Sequence, residues 1–254
     1  MYQVRKVFSD SGSFINKTII LSGVPLSKPF QLYITDVMFH HDALEKTQGL
    51  PLYMSNDKGE LIDNITDWGL EKFQKQYKDK SIGKEDIFHY TYAVLHHPAY
   101  RQKYALNLKR DFPRIPFYND FAQWAAWGKQ LMELHIGYET VQPYNLQIIN
   151  TPFEGTPKTK LKADKAAGTI VLDEATTISG IPPQAWLYKL GNRSALEWIL
   201  DQYKESKPKD PTIAAKFNTY RFADYKLQVI DLIQRVTTVS IETMKIIHQM
   251  HDNG

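Results

Sequence analysis

The chain has 254 residues, 43% of them hydrophobic, a formal net charge of +3 and no cysteine. This length and apolar content support one large domain or two small ones with a proper core, and exclude a disordered chain. Disulfides and thiolate metal centres are excluded, no apolar run reaches the roughly 18 residues that span a bilayer, and Met1-Tyr-Gln-Val-Arg-Lys is unlike a secretory signal, so a cytoplasmic location and no membrane partner are expected.

The N-terminal part reads as β. Residues 2–8 alternate apolar and polar side chains, as a half-buried strand does. Lys17 to Leu21, Phe30 to Thr35 and Leu50 to Met54 are further strand candidates, the first two separated by a loop with Gly23, Pro25 and Pro29. Asn56-Asp-Lys-Gly is a turn signal. Asn64 or Thr66 can cap a helix to about Tyr77 that turns Trp68, Leu70, Phe73 and Tyr77 mostly inward. A central helix starts at Lys84 with Phe88, Tyr92 and Leu95 on one face. Pro98 breaks it, because proline has no amide to donate and disfavours helix in the residue before it. A second helix is predicted over Ala99 to Leu108, with Tyr100, Tyr104 and Leu108 on one side. In Asp-Phe-Pro-Arg-Ile-Pro-Phe, Pro113 and Pro116 impose an extended segment that fixes Arg114 in place.

A helix over about Asn119 to Ile136 follows, burying Phe121, Trp124, Leu131 and Leu134 or their neighbours, and Gly137 stops it. One short strand, Asn145 to Ile149, lies in the connection to Pro157. Lys158 to Ala163 and Thr169 to Asp173 form a predicted hairpin about a turn at Asp164 to Gly168. Ser194 to Tyr203 is helical, Lys204 to Pro211 a loop, and Phe222 to His248 a long helix with a bend expected near Thr237-Thr238-Val239. The pattern is α+β: β-rich N-terminal and middle portions packed with helices and a long C-terminal helical segment. Residues 1–150 (β-rich start and central helices) and 151–254 (hairpin and C-terminal helices) are expected to pack as one unit.

Net charge this small does not identify a nucleic-acid binder, but its distribution matters. Residues 100–114 carry Arg101, Lys103, Lys109, Arg110 and Arg114 against Asp111 alone. Lys158, Lys160, Lys162 and Lys165 surround Asp164. These lysines are phosphate-binding candidates or the solvated face of an edge strand. Arg114 is a phosphate contact or an internal tie. In Gly191-Asn192-Arg193-Ser194, Asn192 or Ser194 can cap the following helix. Its N-terminus with Arg193 is an anion site, or else a structural cap with Arg193 paired to Glu197 or Asp201. Asn218, Tyr220 and Arg221 cap the last helix or reach DNA. The tyrosines Tyr90, Tyr92, Tyr100 and Tyr104, and Trp124, Trp127, Trp186 and Trp198, read as core or rim residues rather than base-stacking ones. His40-His41 and His96-His97 are adjacent pairs that point apart on a helix, so surface or capping histidines are expected and no metal site. A glycine-rich cofactor turn, an Asn-Pro-Pro-Tyr-like loop and a P-loop are all absent.

Phe88-His-Tyr-Thr-Tyr-Ala-Val-Leu-His-His-Pro-Ala-Tyr-Arg101 with Asp111-Phe-Pro-Arg-Ile-Pro116, then Trp186 to Tyr203, then Asn218 to Lys226, resemble in order the C-terminal specificity domain of type ISP restriction–modification enzymes. The resemblance implies a non-catalytic domain of prokaryotic defence that recognises double-stranded DNA. It also implies methyltransferase and helicase domains in the same polypeptide, with S-adenosylmethionine, ATP and magnesium used only there. Two alternatives stand beside it: a module that docks on the methyltransferase or coupling domain, and an independent hydrolase, for which no nucleophile or cofactor motif is found.

Overall fold

The structure, a computed structural model, describes residues 7, 16–56, 58, 60–205, 210–212, 216 and 220–251. The strand expected over 2–8 lies outside these, Val7 apart. Contacts divide the chain into two compact units, 1–137 with 245–254, and 138–244. The architecture is α+β, with several small sheets and a long C-terminal helix.

In the first unit, β1 (Thr18–Leu21) is the middle strand of an antiparallel sheet, flanked by β2 (Leu32–Thr35) and β3 (Gln48–Pro51). All four β1 residues are buried, as expected of a central strand. The single strand expected over 50–54 is two. The buried Asn16 carboxamide donates to the Tyr53 carbonyl at 2.8 Å and accepts from the Tyr53 amide at 3.2 Å, taking the place of a strand neighbour. Beyond it β4 (Tyr53–Ser55) pairs with β5 (Leu61–Asp63), which the sequence reading missed. Asn56 Oδ1 closes this hairpin by accepting from the amides of Lys58 and Glu60.

Helix α1 (Asp67–Tyr77) is capped by Thr66, whose hydroxyl accepts from the Gly69 amide. Leu70, Phe73 and Tyr77 pack on the core, but Trp68 is 68% exposed, with Lys72 over its ring. The inward reading of Trp68 was wrong on angle alone: two residues before Leu70, it lies about 200° round the helix.

Helix α2 (Lys84–His96) ends at His97, which is extended at φ −65°, ψ 120°, and α3 (Pro98–Lys103) begins at the proline, so the expected break is present. The second helix stops at Lys103 rather than Leu108. Tyr104 leaves helical angles at φ −106°, ψ 19°, and successive turns carry the chain on. Leu108 is still buried while Leu106 is 71% exposed. Helix α4 (Phe121–Ile136) is capped by Asp120 and crosses α2 closely. Gly128 makes this possible: a Cβ there would lie 1.8 Å from the His89 carbonyl oxygen. Phe88, Tyr90, Tyr92, Leu95, Trp124 and Leu131 fill the core around the crossing.

The second unit holds a four-stranded antiparallel sheet in the order β6-β9-β8-β7: β6 (Gln147–Asn150), β7 (Thr159–Asp164), β8 (Thr169–Asp173) and β9 (Thr176–Ser179). The expected β7–β8 hairpin is present, and β9 adds a further strand beside β8. A short 3-10 turn (Pro183–Trp186) and the two-residue strands β10 (Lys189–Leu190) and β11 (Arg193–Ser194) lead into α5 (Ala195–Gln202). Helix α6 (Phe222–His251) runs unbroken through Thr237, giving Val229, Ile233 and Val236 to the second core and Met250 to the first.

Candidate nucleic-acid interface

The basic stretch of 101–114 separates into two kinds of side chain. Arg101 is an internal tie: its Nε donates to the Leu95 carbonyl at 2.7 Å, and its guanidinium lies 5.6 Å from the Phe30 ring. Lys103, Lys109, Arg110 and Arg114 are exposed. Lys103 covers the Tyr104 ring, and among the described residues the side chains of Lys109, Arg110 and Arg114 have no polar partner.

What holds these cations is backbone. Tyrosine hydroxyls grip the extended segment: Tyr100 donates to the Arg114 carbonyl at 3.0 Å, Tyr90 to that of Pro116 at 2.8 Å, and Tyr77 to that of Tyr118 at 2.7 Å. The Tyr118 amide donates to the Tyr90 hydroxyl at 2.7 Å. Burial pushes the Tyr100 hydroxyl up to about 12, so these groups remain donors at neutral pH. The tyrosines are core residues with satisfied hydroxyls.

The same region carries the loop Ser22–Lys28. Its Leu26 amide donates to the Lys109 carbonyl at 2.9 Å, joining loop and basic segment. From the other side, Glu45 and Lys46 take hold of it. The Glu45 carboxylate accepts from the amides of Ser27 and Lys28 at 2.9 and 3.0 Å, the Glu45 carbonyl accepts from the Gly23 amide at 3.0 Å, and Lys46 Nζ donates to the Pro25 carbonyl at 2.6 Å. The Ser27 amide, then the Lys28 amide, hold the Glu45 carboxyl below its ordinary pKa. Gly23 is required here, since a Cβ would sit 2.2 Å from the Lys46 carbonyl oxygen. Neither Glu45 nor Lys46 was singled out from the sequence, and no local spacing could have found a partner 18 residues away.

In the second unit β7 is an edge strand. Leu161, at φ 44° beside a register shift, is buried, and Lys158, Lys160 and Lys162 are exposed along the strand with no side-chain partner among the described residues. Lys165 pairs with Glu197 at 2.9 Å. Ser194, not Asn192, caps α5, in a capping box with Glu197. The amides of Ser194, Ala195 and Glu197 bond to Glu197, Tyr188 and Ser194 in turn, and Arg193 pairs with Asp201. Asn192 is exposed. Tyr220 donates to the Tyr203 carbonyl at 3.0 Å and stacks on Tyr225; Arg221 is exposed beside it, and Asn218 lies outside the described residues.

His40 and His41 are exposed, and their donor atoms and a carboxylate oxygen of Asp42 lie within 4.8 Å of one another. His96 and His97 are buried rather than on the surface, and of the two His97 sits at the cap between α2 and α3. His96 Nδ1 bonds the Tyr92 carbonyl at 2.9 Å, and His97 Nδ1 the Tyr118 hydroxyl at 3.2 Å. Burial first, then the neighbouring His135 and Arg101, hold the His96 pKa well below the usual histidine range.

A family model described as the type ISP C-terminal specificity domain matches residues 1–232. Among solved structures, a DrdV–DNA complex is similar at 53% identity and TM-score 0.91 over 98% of this chain and 26% of that one. A nuclease-deletion mutant of the type ISP restriction-modification enzyme LlaGI, in complex with a DNA substrate mimic, is similar at 28% identity and TM-score 0.73, covering 96% and 22%. The ATP-dependent type ISP restriction-modification enzyme LlaBIII, bound to DNA, is similar at 26% identity and TM-score 0.75, covering 97% and 16%. No curated protein sequence matches. The chain thus spans about a quarter or less of the length of these relatives.

Proposed function

Because the chain belongs to the type ISP C-terminal specificity domain family, we propose that it recognises a target sequence in double-stranded DNA, without catalysing a reaction itself. Methylation, translocation and cleavage, with S-adenosylmethionine, ATP and magnesium, fall to methyltransferase, helicase and nuclease domains of a longer cytoplasmic polypeptide that serves prokaryotic defence. The observation that carries this reading is the junction in the first unit: Lys109, Arg110 and Arg114, whose side chains have no polar partner among the described residues, lie on a segment hydrogen-bonded through Lys109 to the loop Ser22–Lys28. Similarity to three DNA-bound structures supports it.

The division of labour follows from chemistry. Phosphates look alike at every site, so arginines and lysines aimed at them give affinity and register. Bases differ in their major-groove donors and acceptors, so readers belong on loops, with Ser22–Lys28 and the Lys158–Gly168 hairpin as candidates and 9–16 as a third, of which only Asn16 is described. Lys103, the hairpin lysines, Asn192, Tyr220 and Arg221 remain secondary phosphate candidates, whereas Arg193 is already paired with Asp201. In competitive binding at several salt concentrations, Arg110→Ala and Arg114→Ala should each weaken all duplexes alike and lower the salt slope by about one unit. Substitutions of Ser27 or Lys28 should instead cost about 1–3 kcal/mol on the preferred site only. If the arginine variants change which sequence is preferred while the loop variants do not, the roles are reversed. Salt-independent binding, or none, sinks the reading.

Docking on the neighbouring domains is a second reading, favoured by one surface. A cleft of about 630 Å³ lined by Tyr53, Leu61, Ile62, Ile65 and Lys84 opens beside the β4–β5 hairpin. Leu61 and Ile62 stand exposed there.

A further inference from the structure

We propose that Glu45 is a positioning residue for sequence choice: it sets the shape of the Ser22–Lys28 loop and thereby which bases that loop can read. The inference rests on the DNA-recognition reading above and assigns Glu45 no contact with DNA.

Most holds on the loop engage main chain; Ser22 Oγ adds a side-chain tie, accepting from the Gln31 amide at 2.8 Å. Glu45 takes the amides of Ser27 and Lys28 through its carboxylate and that of Gly23 through its carbonyl, Lys46 takes the carbonyl of Pro25, and the Lys109 carbonyl takes the amide of Leu26. The side chains of Pro25, Ser27 and Lys28 are left exposed. Lys46 itself sits at φ 52°, a conformation uncommon for residues other than glycine, and its side chain and the Glu45 carboxylate reach the same loop. A carboxylate offers two oxygens to two successive amides, and such charge-assisted bonds are the stronger kind. The arrangement therefore fixes the loop from Pro25 to Lys28 chiefly through its main chain. Fixed geometry is what discrimination requires, since a base-reading group displaced by about an ångström loses its hydrogen bonds.

A simple electrostatic role for Glu45 predicts the opposite sign. An acidic side chain near DNA repels phosphates, so its removal would tighten every duplex equally.

The test uses the full chain. A randomised duplex pool is selected on the wild type, and the selected duplex and a random duplex are then titrated against wild type, Glu45→Ala, Glu45→Gln and Lys46→Met. The expected result is that Glu45→Ala weakens the selected duplex at least tenfold, leaves the random duplex within about twofold, and keeps the melting temperature near wild type. Glu45→Gln, which retains one acceptor oxygen, should recover part of the selectivity. If Glu45→Ala does not fold, Glu45→Gln and Lys46→Met give the same reading on a smaller scale. Equal change on both duplexes, in either direction, overturns the proposal while leaving DNA recognition standing. If the wild type selects nothing from the pool, the reading of the chain as a recognition domain fails, and this inference with it.

Discussion

Replacing Gly128 by alanine should destabilise the protein, although alanine is the better helix former. The added methyl would lie 1.8 Å from the His89 carbonyl oxygen and 2.5 Å from its carbon. A carbon–oxygen contact normally needs about 3.3 Å, so α2 and α4 must part locally by roughly 1.5 Å. A gap of 0.5–1 Å already forfeits a quarter to a half of a dispersion contact, and a buried side chain of this kind makes about 40 contacts worth about 0.15 kcal/mol each, so roughly 3 kcal/mol is lost. Relief of glycine's backbone entropy returns about 1 kcal/mol. The net loss is about 2 kcal/mol, within the range typical of overpacked cores, and lowers the melting temperature by roughly 4–8 °C for a chain of this size. Gly69→Ala is the matched control. On α1 its Cβ would meet only Thr66 Oγ1 at 3.4 Å and Ile65 at 3.6 Å, ordinary contact distances. That variant should gain up to about 1 kcal/mol. Urea titration followed by tryptophan fluorescence compares the two, with Trp124 and Trp127 on α4 as reporters. A Gly128→Ala midpoint equal to or above wild type would refute the argument.

Acid should destabilise the fold through its buried histidines. His96 is held well below its usual pKa, chiefly by burial, and burial takes His135 to about 3. The unfolded chain binds these protons below about pH 6.5 and the folded one does not, so the stability is complete above 6.5 and lost as pH falls towards the folded values. Denaturation midpoints should therefore fall as pH drops from 7 to 5; a flat profile contradicts it. Tyr90→Phe strands the Tyr118 amide and the Pro116 carbonyl and should cost about 1–3 kcal/mol, measured by urea melts. Ser194→Ala removes the α5 cap and should cost about 0.5–2 kcal/mol, with no change expected in DNA affinity. Arg193→Ala should leave the salt slope of duplex binding unchanged, since Asp201 already takes its guanidinium; a slope lowered by one unit would show that Arg193 also neutralises a phosphate.

The sequence was readable where the physics is local. Pro98 ends α2, Thr66 and Ser194 cap their helices, and the lysine-bearing hairpin stands where alternation and its turn residues placed it. The β4–β5 hairpin escaped although its Asn56 turn was noted, because three-residue strands carry too little alternation to register. Trp68 faces solvent because its angle on α1, not its hydrophobicity, sets its direction. The site divided in the same way. Clusters of basic residues are visible in one dimension, but which of them are spoken for is not: Leu95 claims Arg101 and Asp201 claims Arg193, while the Arg114 side chain has no polar partner among the described residues. The Glu45 clamp depends on a loop return that only the folded chain brings about.

The tyrosine grip on residues 114–118 has an evolutionary side. Carbonyls and amides are common to all residues that can occupy an extended segment, so a hold exerted only on them is indifferent to the side chain at position 114. That position behaves as a socket: whatever stands in it is delivered to the same place at the same angle. The outward group there can then be exchanged without refolding what lies beneath. For laboratory evolution the same property makes 114 a site where a saturation library samples chemistry rather than foldability.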